Sequence, residues 1–146
     1  MTAVILIGIQ GSGKTTFCKL QFFTTHIRIS LDMLRTRNRE QILLDACVRA
    51  RQPFVIDNTN PTSGTRAKYI AAARDARYHV IAYHFITPLT ECLRRNSLRE
   101  GKERIPAVAL HAAVKRLQPP DETEGFDEIY SVELTPENQF VVKQIV

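Results

Sequence analysis

Short apolar runs alternate with longer amphipathic segments along most of the chain. The runs of strand length predict β-strands at residues 3–9, 26–30, 54–57, 78–86 and 129–134. Helical spacing and proline positions predict helices at residues 14–23, 38–51, 62–77, 88–99 and 106–117. Such alternation is typical of a parallel sheet covered by helices on both faces, with ligands at the carboxyl ends of the strands.

The loop after the first strand reads GIQGSGKT over residues 8–15 and matches the P-loop pattern GxxxxGK[ST]. Its glycines let backbone N–H groups turn toward phosphate oxygens, and the following helix adds its positive N-terminal end. In this pattern Lys14 reaches the β- and γ-phosphates, and Thr15 offers its hydroxyl to Mg2+. The motif predicts a nucleotide site built from Gly11, Ser12, Gly13, Lys14, Thr15 and Thr16.

Three further groups of polar residues are candidates for chemistry. Asp57 ends an apolar strand, where P-loop proteins often keep an acidic group near the magnesium; the alternative is a loop carboxylate that caps nearby backbone. Asp32 and Arg35 share a face if residues 31–36 are helical, and they would serve as a base and an acceptor clamp; the alternative is a helix-terminal carboxylate beside an exposed arginine. Arg95 and Arg99 suggest a lid over the phosphates, or simply cations at a helix C-terminus.

Composition narrows the class of protein. The 146 residues suffice for one α/β core, so we expect a single domain over residues 1–146. Three widely spaced cysteines and four histidines show no metal-ligand or disulfide pattern. No apolar run approaches the roughly 18 residues of a membrane helix, and the N-terminus lacks the features of a signal peptide. These features predict a cytoplasmic protein that does not enter a membrane.

The net charge of +5 is unevenly distributed. From residue 1 to 118, 19 Lys or Arg stand against 8 Asp or Glu, a net charge of +11; from residue 119 to 146, 1 basic residue stands against 7 acidic ones, a net charge of −6. Such a basic body suits a polyanionic partner, although scattered solvated charges are the other interpretation. Of the 20 basic residues, 14 are Arg, which binds phosphate in a bidentate manner, so the composition slightly favours phosphate binding.

The chain resembles the kinase domain of polynucleotide 5′-hydroxyl kinases. The resemblance covers most of the chain and lies in GIQGSGKTT, SLDMLR, VIDNTNPTSGTRAKYIAAAR and LRRNSLREGKERIP. It implies an α/β P-loop NTPase-type three-layer fold, with a central parallel sheet and a helical lid over about residues 95–117. It also implies transfer of the γ-phosphate of ATP to the 5′-hydroxyl of a DNA or RNA strand, with Mg2+.

By this resemblance Lys14 and Thr15 are the triphosphate and metal residues, and Asp32 is the general base. Arg35 contacts the acceptor phosphate, and Arg99 is the lid arginine. No DxDGT phosphatase motif occurs in the sequence, so a separate phosphatase or ligase partner is expected. A P-loop kinase of a small metabolite or nucleoside, and a nucleotide-dependent binding or switch module, are the alternative hypotheses.

Overall fold

The computed structural model describes residues 1–146 and contains one six-stranded sheet. Its strands, in chain order, are β1 (Thr2–Ile7), β2 (Ile27–Ile29), β3 (Phe54–Asp57), β4 (His79–Phe85), β5 (Glu128–Leu134) and β6 (Phe140–Gln144). Their order across the sheet is β2-β3-β1-β4-β5-β6. The first five strands pair in parallel, and β6 pairs antiparallel with β5.

Six helices connect or cover these strands. They are α1 (Lys14–Phe22), α2 (Leu31–Leu34), α3 (Arg37–Ala50), α4 (Ser63–Asp75), α5 (Leu89–Ser97) and α6 (Ala107–Arg116). Short 3-10 turns lie at Gly101–Glu103 and Glu122–Glu124. None of the helices combines the length and the apolar character that crossing a bilayer requires.

The central strand β1 is apolar throughout because both of its faces are buried. Ile5 belongs to a core cluster that includes Leu44 of α3 and Ile70 of α4. Leu6 points to the opposite face, where its cluster includes Phe17 of α1. Since successive side chains of a strand alternate between faces, this packing places helices on both sides of the sheet. The predicted three-layer α/β fold is confirmed.

A smaller apolar cluster supports the predicted lid. It joins Ile9 of the phosphate loop to Cys92 of α5 and Leu110 of α6, and all three side chains are buried. Within this unit the Asn96 side chain donates to the Ile105 carbonyl at 2.6 Å and accepts from the Ile105 N–H at 2.9 Å. The two helices are therefore tied together and attached to the loop that follows β1.

Two features differ from the sequence-based expectation. The sequence did not predict β6, which turns back from β5 through a loop and adds an antiparallel edge to the sheet. The helix considered over residues 31–36 ends at Leu34, because Arg35 takes a left-handed φ of 75°. Asp32 and Arg35 therefore do not lie on one continuous helical face.

Candidate active site

The phosphate loop lies between β1 and α1, at the carboxyl edge of the parallel strands. Gly11 and Gly13 have φ angles of 80° and 102°, which side chains rarely adopt. Space is limiting as well: a Cβ on Gly11 would lie 2.8 Å from the Cys92 carbonyl oxygen, and one on Gly13 would lie 2.9 Å from Leu134 Cδ2. The lid helix and β5 thus approach so closely that only glycine fits the loop.

Lys14 spans this loop. Its Nζ donates to the carbonyl oxygens of Gly8 at 2.8 Å and Ile9 at 2.9 Å. Burial lowers the pKa of Lys14 to about 8, although the nearby carboxylates of Asp57 and Asp32 raise it, and Arg99 lowers it further. An ammonium group that is poorly solvated and held only by carbonyl oxygens is well suited to exchange them for phosphate oxygens.

Asp57, at the end of β3, connects the loop to the neighbouring strand. Its Oδ2 accepts hydrogen bonds from Thr15 Oγ1 at 3.0 Å and from Arg28 Nε at 2.7 Å. The Asp57 side chain is almost fully buried, whereas that of Arg28 is 31% exposed. The sequence analysis missed Arg28, although a single arginine between two isoleucines in β2 was a signal for an ion pair.

Thr15 and Asp57 fit a magnesium ion by the chemistry of their donors. Both offer oxygen, which Mg2+ prefers, and the two bonds to Asp57 use Oδ2 and leave Oδ1 to other partners. No group of three or more His, Cys, Asp or Glu side chains is arranged to hold a metal. A magnesium ion would therefore take most of its ligands from phosphate oxygens and water, as such ions commonly do.

The segment after Asp57 braces the phosphate loop from the side. The Gly8 N–H donates to the Thr59 carbonyl at 3.1 Å, and Asn60 Nδ2 donates to the Leu6 carbonyl at 2.7 Å. Asn60 is buried and has a left-handed φ of 48°. These contacts hold the end of β1 in place. Residues 57–60, which read DNTN, therefore support the phosphate loop.

Arg99 lines the same cavity as Gly11, Gly13 and Thr16, and Asp32 follows β2 at the carboxyl edge of the sheet. Their charges act on Lys14 in opposite directions: Asp32 raises its pKa and Arg99 lowers it. Asp32 is exposed, in the four-residue helix α2 that follows β2. Arg35 is also exposed and makes no hydrogen bond or ion pair to the phosphate loop. The structure thus joins Thr15 to Asp57 and places Arg99 beside the loop, whereas no hydrogen bond or ion pair connects Asp32 or Arg35 to it.

A cavity of about 320 Å³ opens beside the phosphate loop. Its walls come from the loop, the lid and the β5–β6 connection: Gly11, Gly13, Thr16, Arg95, Leu98, Arg99, Leu134 and Asn138. Arg95 Nη2 donates to Asn138 Oδ1 at 2.8 Å, which links the lid helix to that connection. Asn138 and Leu134 were not predicted as site residues, since their place depends on the unpredicted hairpin.

Comparison with known proteins agrees with this geometry. A family model described as an AAA domain matches residues 4–120. The chain is 28% identical over 134 residues to a bifunctional polynucleotide phosphatase/kinase from Schizosaccharomyces pombe, covering 88% of this chain and 33% of that protein. It is 27% identical over 136 residues to a putative enzyme of the same name from Acanthamoeba polyphaga mimivirus, covering 88% of this chain and 32% of that protein.

The chain therefore spans about a third of the length of these two relatives. A gluconokinase from Sinorhizobium meliloti 1021 shares the fold, with a TM-score of 0.61 and 18% identity over 90% of this chain and 81% of that one. The resemblance inferred from the motifs is confirmed. The chain belongs to the family described as the AAA domain, as a P-loop kinase domain similar to bifunctional polynucleotide phosphatase/kinases.

Proposed function

We propose that this chain transfers the γ-phosphate of ATP to the 5′-hydroxyl end of a DNA or RNA strand. The observation that carries the proposal is the placement of an exposed carboxylate, Asp32, in the helix that follows β2, at the same carboxyl edge of the parallel strands as the phosphate loop. A kinase needs such a group on the acceptor side to receive the hydroxyl proton, whereas nucleotide binding alone does not. The nucleic-acid acceptor is supported by the names of the two curated relatives.

In the proposed reaction the 5′-oxygen forms a bond to the γ-phosphorus while the bond from that phosphorus to the β–γ bridging oxygen breaks. ADP leaves, and the hydroxyl proton passes to Asp32. Lys14 and Arg99 stabilise the charge on the transferring group, because both are cations at the cradle. Mg2+, when bound near Thr15 and Asp57, would neutralise charge on the β- and γ-phosphates.

Arg35 is proposed to bind the acceptor phosphate next to the reacting end. It is exposed, makes no ion pair and follows Asp32 by three residues. Its positive φ of 75° ends the short helix α2. Two exposed neighbours, Arg37 and Arg39, extend the positive surface beyond it.

The test is transfer of label from γ-labelled ATP to a short 5′-hydroxyl oligonucleotide in the presence of magnesium. We expect the Asp32→Asn protein to bind ATP normally and to transfer label about 10²–10⁴-fold more slowly, the usual contribution of a general base. Asp45→Asn, on an exposed face of α3, is the matched control and should retain the wild-type rate. An unchanged rate in Asp32→Asn would refute the assignment of the base.

The same assay separates the alternatives. Transfer to small hydroxyl compounds but never to an oligonucleotide would identify a metabolite kinase. A binding or switch module would keep its ATP turnover in Asp32→Ala and lose nucleotide binding in Lys14→Ala.

Because the relatives are bifunctional, we further propose that a separate phosphatase or ligase partner supplies the accompanying end-processing steps.

A further inference from the structure

Glu40 is a fully buried carboxylate in α3 with no role in the reaction described above. Its Oε1 accepts hydrogen bonds from Lys68 Nζ at 2.7 Å and from Arg37 Nη1 at 3.1 Å. Its Oε2 accepts one from Asn58 Nδ2 at 3.1 Å. The two oxygens therefore have different partners: one faces cations, and the other faces a neutral amide.

Two acceptors orient the Asn58 amide: its Nδ2 donates to Glu40 Oε2 at 3.1 Å and to the Tyr69 hydroxyl at the longer distance of 3.4 Å. With Nδ2 directed at the carboxylate, Asn58 Oδ1 is directed at α2, where it accepts the backbone N–H of Leu31 at 2.9 Å. A flipped amide would place its NH2 group against that N–H, and two donors cannot bond. The Glu40 carboxylate, as the nearer of these two acceptors, thus favours the orientation in which Asn58 can bind the first residue of α2.

Helix α2 has few other anchors, all at its C-terminal end: Leu34 packs against the main core cluster, and its carbonyl accepts from Arg39 Nη1 at 3.2 Å. The helix is four residues long and contains no buried residue. Ser30 occupies the usual capping position but makes no side-chain cap bond, and its Oγ is buried without any partner. A side chain from the end of β3 therefore caps this helix in place of the helix's own N-cap residue. Asp32 is the next residue after the capped N–H of Leu31.

We propose that Glu40 is a positioning residue for Asp32, acting through Asn58 and the first N–H of α2. The inference rests on the proposed role of Asp32 as the base. A base must lie within hydrogen-bonding distance of the proton it removes, and a displacement of about 1 Å can cost about a hundredfold in rate. A four-residue exposed helix whose first N–H is bonded by a single side chain is sensitive to the loss of that bond.

Glu40 is ionised in this arrangement. Burial alone would raise its pKa, but hydrogen bonds from Lys68, Tyr69 and Asn58, with the charge of Lys68, lower the pKa below its usual value. Both oxygens are then acceptors, as the contacts require. An amide at position 40 would supply only one acceptor oxygen.

The decisive variant is Glu40→Gln, which keeps the shape of the side chain. We expect its single oxygen to take the Oε1 position, between the cations Lys68 and Arg37, and its NH2 group to face Asn58. Asn58 must then flip or withdraw, and the cap on Leu31 is lost. In the label-transfer assay we expect kcat to fall about tenfold or more, with KM for ATP changed by less than about twofold.

A second substitution should restore the pairing. In Glu40→Gln/Asn58→Asp, one carboxylate oxygen at position 58 can accept from the new amide and the other from the Leu31 N–H. We expect kcat to recover toward the wild-type value, whereas Asn58→Asp alone sets two carboxylates face to face and loses activity. Because two contacting residues can also compensate in global stability, urea unfolding of the single and double variants is measured alongside; a kcat recovered among proteins that are all folded under the assay conditions reports positioning.

Hydrogen exchange at the Leu31 amide, in the protein without substrates, gives a readout independent of activity. We expect exchange to become faster in both Glu40→Gln and Asn58→Ala. Asn58→Ala leaves the ion pairs of Glu40 intact, so it provides the measurement if Glu40→Gln does not fold. The control Asp45→Asn, a carboxylate-to-amide change on the exposed face of α3, should alter neither exchange nor kcat.

The outcomes distinguish this inference from the proposed function. Unchanged Leu31 exchange in both Glu40→Gln and Asn58→Ala would overturn the link from Glu40 to α2, whatever the acceptor proves to be. Quickened exchange with unchanged kcat would overturn the positioning role while wild-type transfer to the oligonucleotide stands. If the wild-type protein transfers nothing to a 5′-hydroxyl end, the proposed function fails, and the positioning of Asp32 for that reaction fails with it.

Discussion

At the scale of single residues, Lys14 should make nucleotide binding depend on pH. Its pKa of about 8 lies far below the usual 10.5, because the side chain is desolvated. A bound triphosphate favours the charged form, so binding takes up a proton wherever the free protein has lost it. We expect the apparent Kd for ATP to be constant well below pH 8 and to rise as pH increases above 8.

Titration of ATP binding between pH 6.5 and 9.5, followed calorimetrically, measures this dependence. Lys14→Met should bind ATP weakly at every pH, and its Kd should not rise with pH, since it has no proton to lose. A Kd for ATP that stays constant up to pH 9.5 would contradict the lowered pKa of Lys14.

The free energy of unfolding of the protein without nucleotide should also depend on this group. Between about pH 8 and 10.5 the unfolded chain binds more protons than the folded protein, so the contribution of Lys14 to the free energy of unfolding increases as pH rises through that window.

At the scale of secondary-structure elements, Arg66 ties α4 to two loops. Its side chain is fully buried, forms a bidentate pair with Glu124 at 2.8 and 3.0 Å, and donates to the carbonyls of Asn60 and Gln118. We expect Arg66→Met to lower the free energy of unfolding by about 3–5 kcal/mol, the usual effect of removing one partner of a buried pair.

Urea unfolding is the measurement, and Arg49→Met is the matched control. Arg49 is exposed in α3 and makes no ion pair, so its loss should change stability by less than about 0.5 kcal/mol. A loss below about 1 kcal/mol in Arg66→Met would show that the buried pair is readily replaced by apolar packing. In that case the position of the loop at Asn60 would not depend on the Arg66 side chain of α4.

The contrast between Arg66 and Arg35 shows what the sequence could predict at this scale. Apolar runs gave β1 and β3 to within two residues, because a strand buried on both faces has a pattern that does not depend on its neighbours. Whether an arginine is a buried clamp or a free surface cation depends on partners distant in sequence: Glu124 lies 58 residues from Arg66. Spacing along one helix carries no such information.

The missed strand β6 has the same explanation. It is five residues long and largely exposed, so its own pattern is weak, and it forms only because β5 offers an unpaired edge. Its first residue, Phe140, packs its ring at 5.2 Å from that of Phe17 and lies near Gly13. The sequence therefore predicted the P-loop motif and its lysine but not the hairpin that closes one side of the cavity.

At the scale of the whole molecule, the acidic C-terminal segment neutralises part of the basic body. Glu124 pairs with Arg66, while Asp127 and Glu128 lie near Arg74 and His79, beside the amino end of β4. At the carboxyl ends of the strands the exposed cations Arg35, Arg39, Lys102 and Arg104 form no ion pair. Unpaired exposed cations therefore lie on the side of the phosphate loop, and others, among them Arg49 and Arg77, lie at the opposite end of the sheet.

The cations beside the phosphate loop predict how salt will affect binding of an oligonucleotide. Each phosphate that a cation contacts releases counterions, so log Kd should rise linearly with log salt concentration, by about 0.7 per contact for a single strand. Removing two contacting cations in Lys102→Gln/Arg104→Gln should lower that slope by about 1.4. Binding should weaken to a similar extent for oligonucleotides of different sequence, because phosphate contacts do not read bases.

The matched control removes two exposed arginines from the opposite end of the sheet, in Arg49→Gln/Arg77→Gln. Both double variants change the net charge by the same amount, so a purely global field would alter the salt slope equally in the two. A local phosphate-binding surface would alter it only in the variant at positions 102 and 104. The measurement is fluorescence anisotropy of a labelled 5′-hydroxyl oligonucleotide at salt concentrations from about 50 to about 300 mM. It distinguishes a global field from a local phosphate-binding surface. Equal slopes in all three proteins would place the nucleic acid away from the lid.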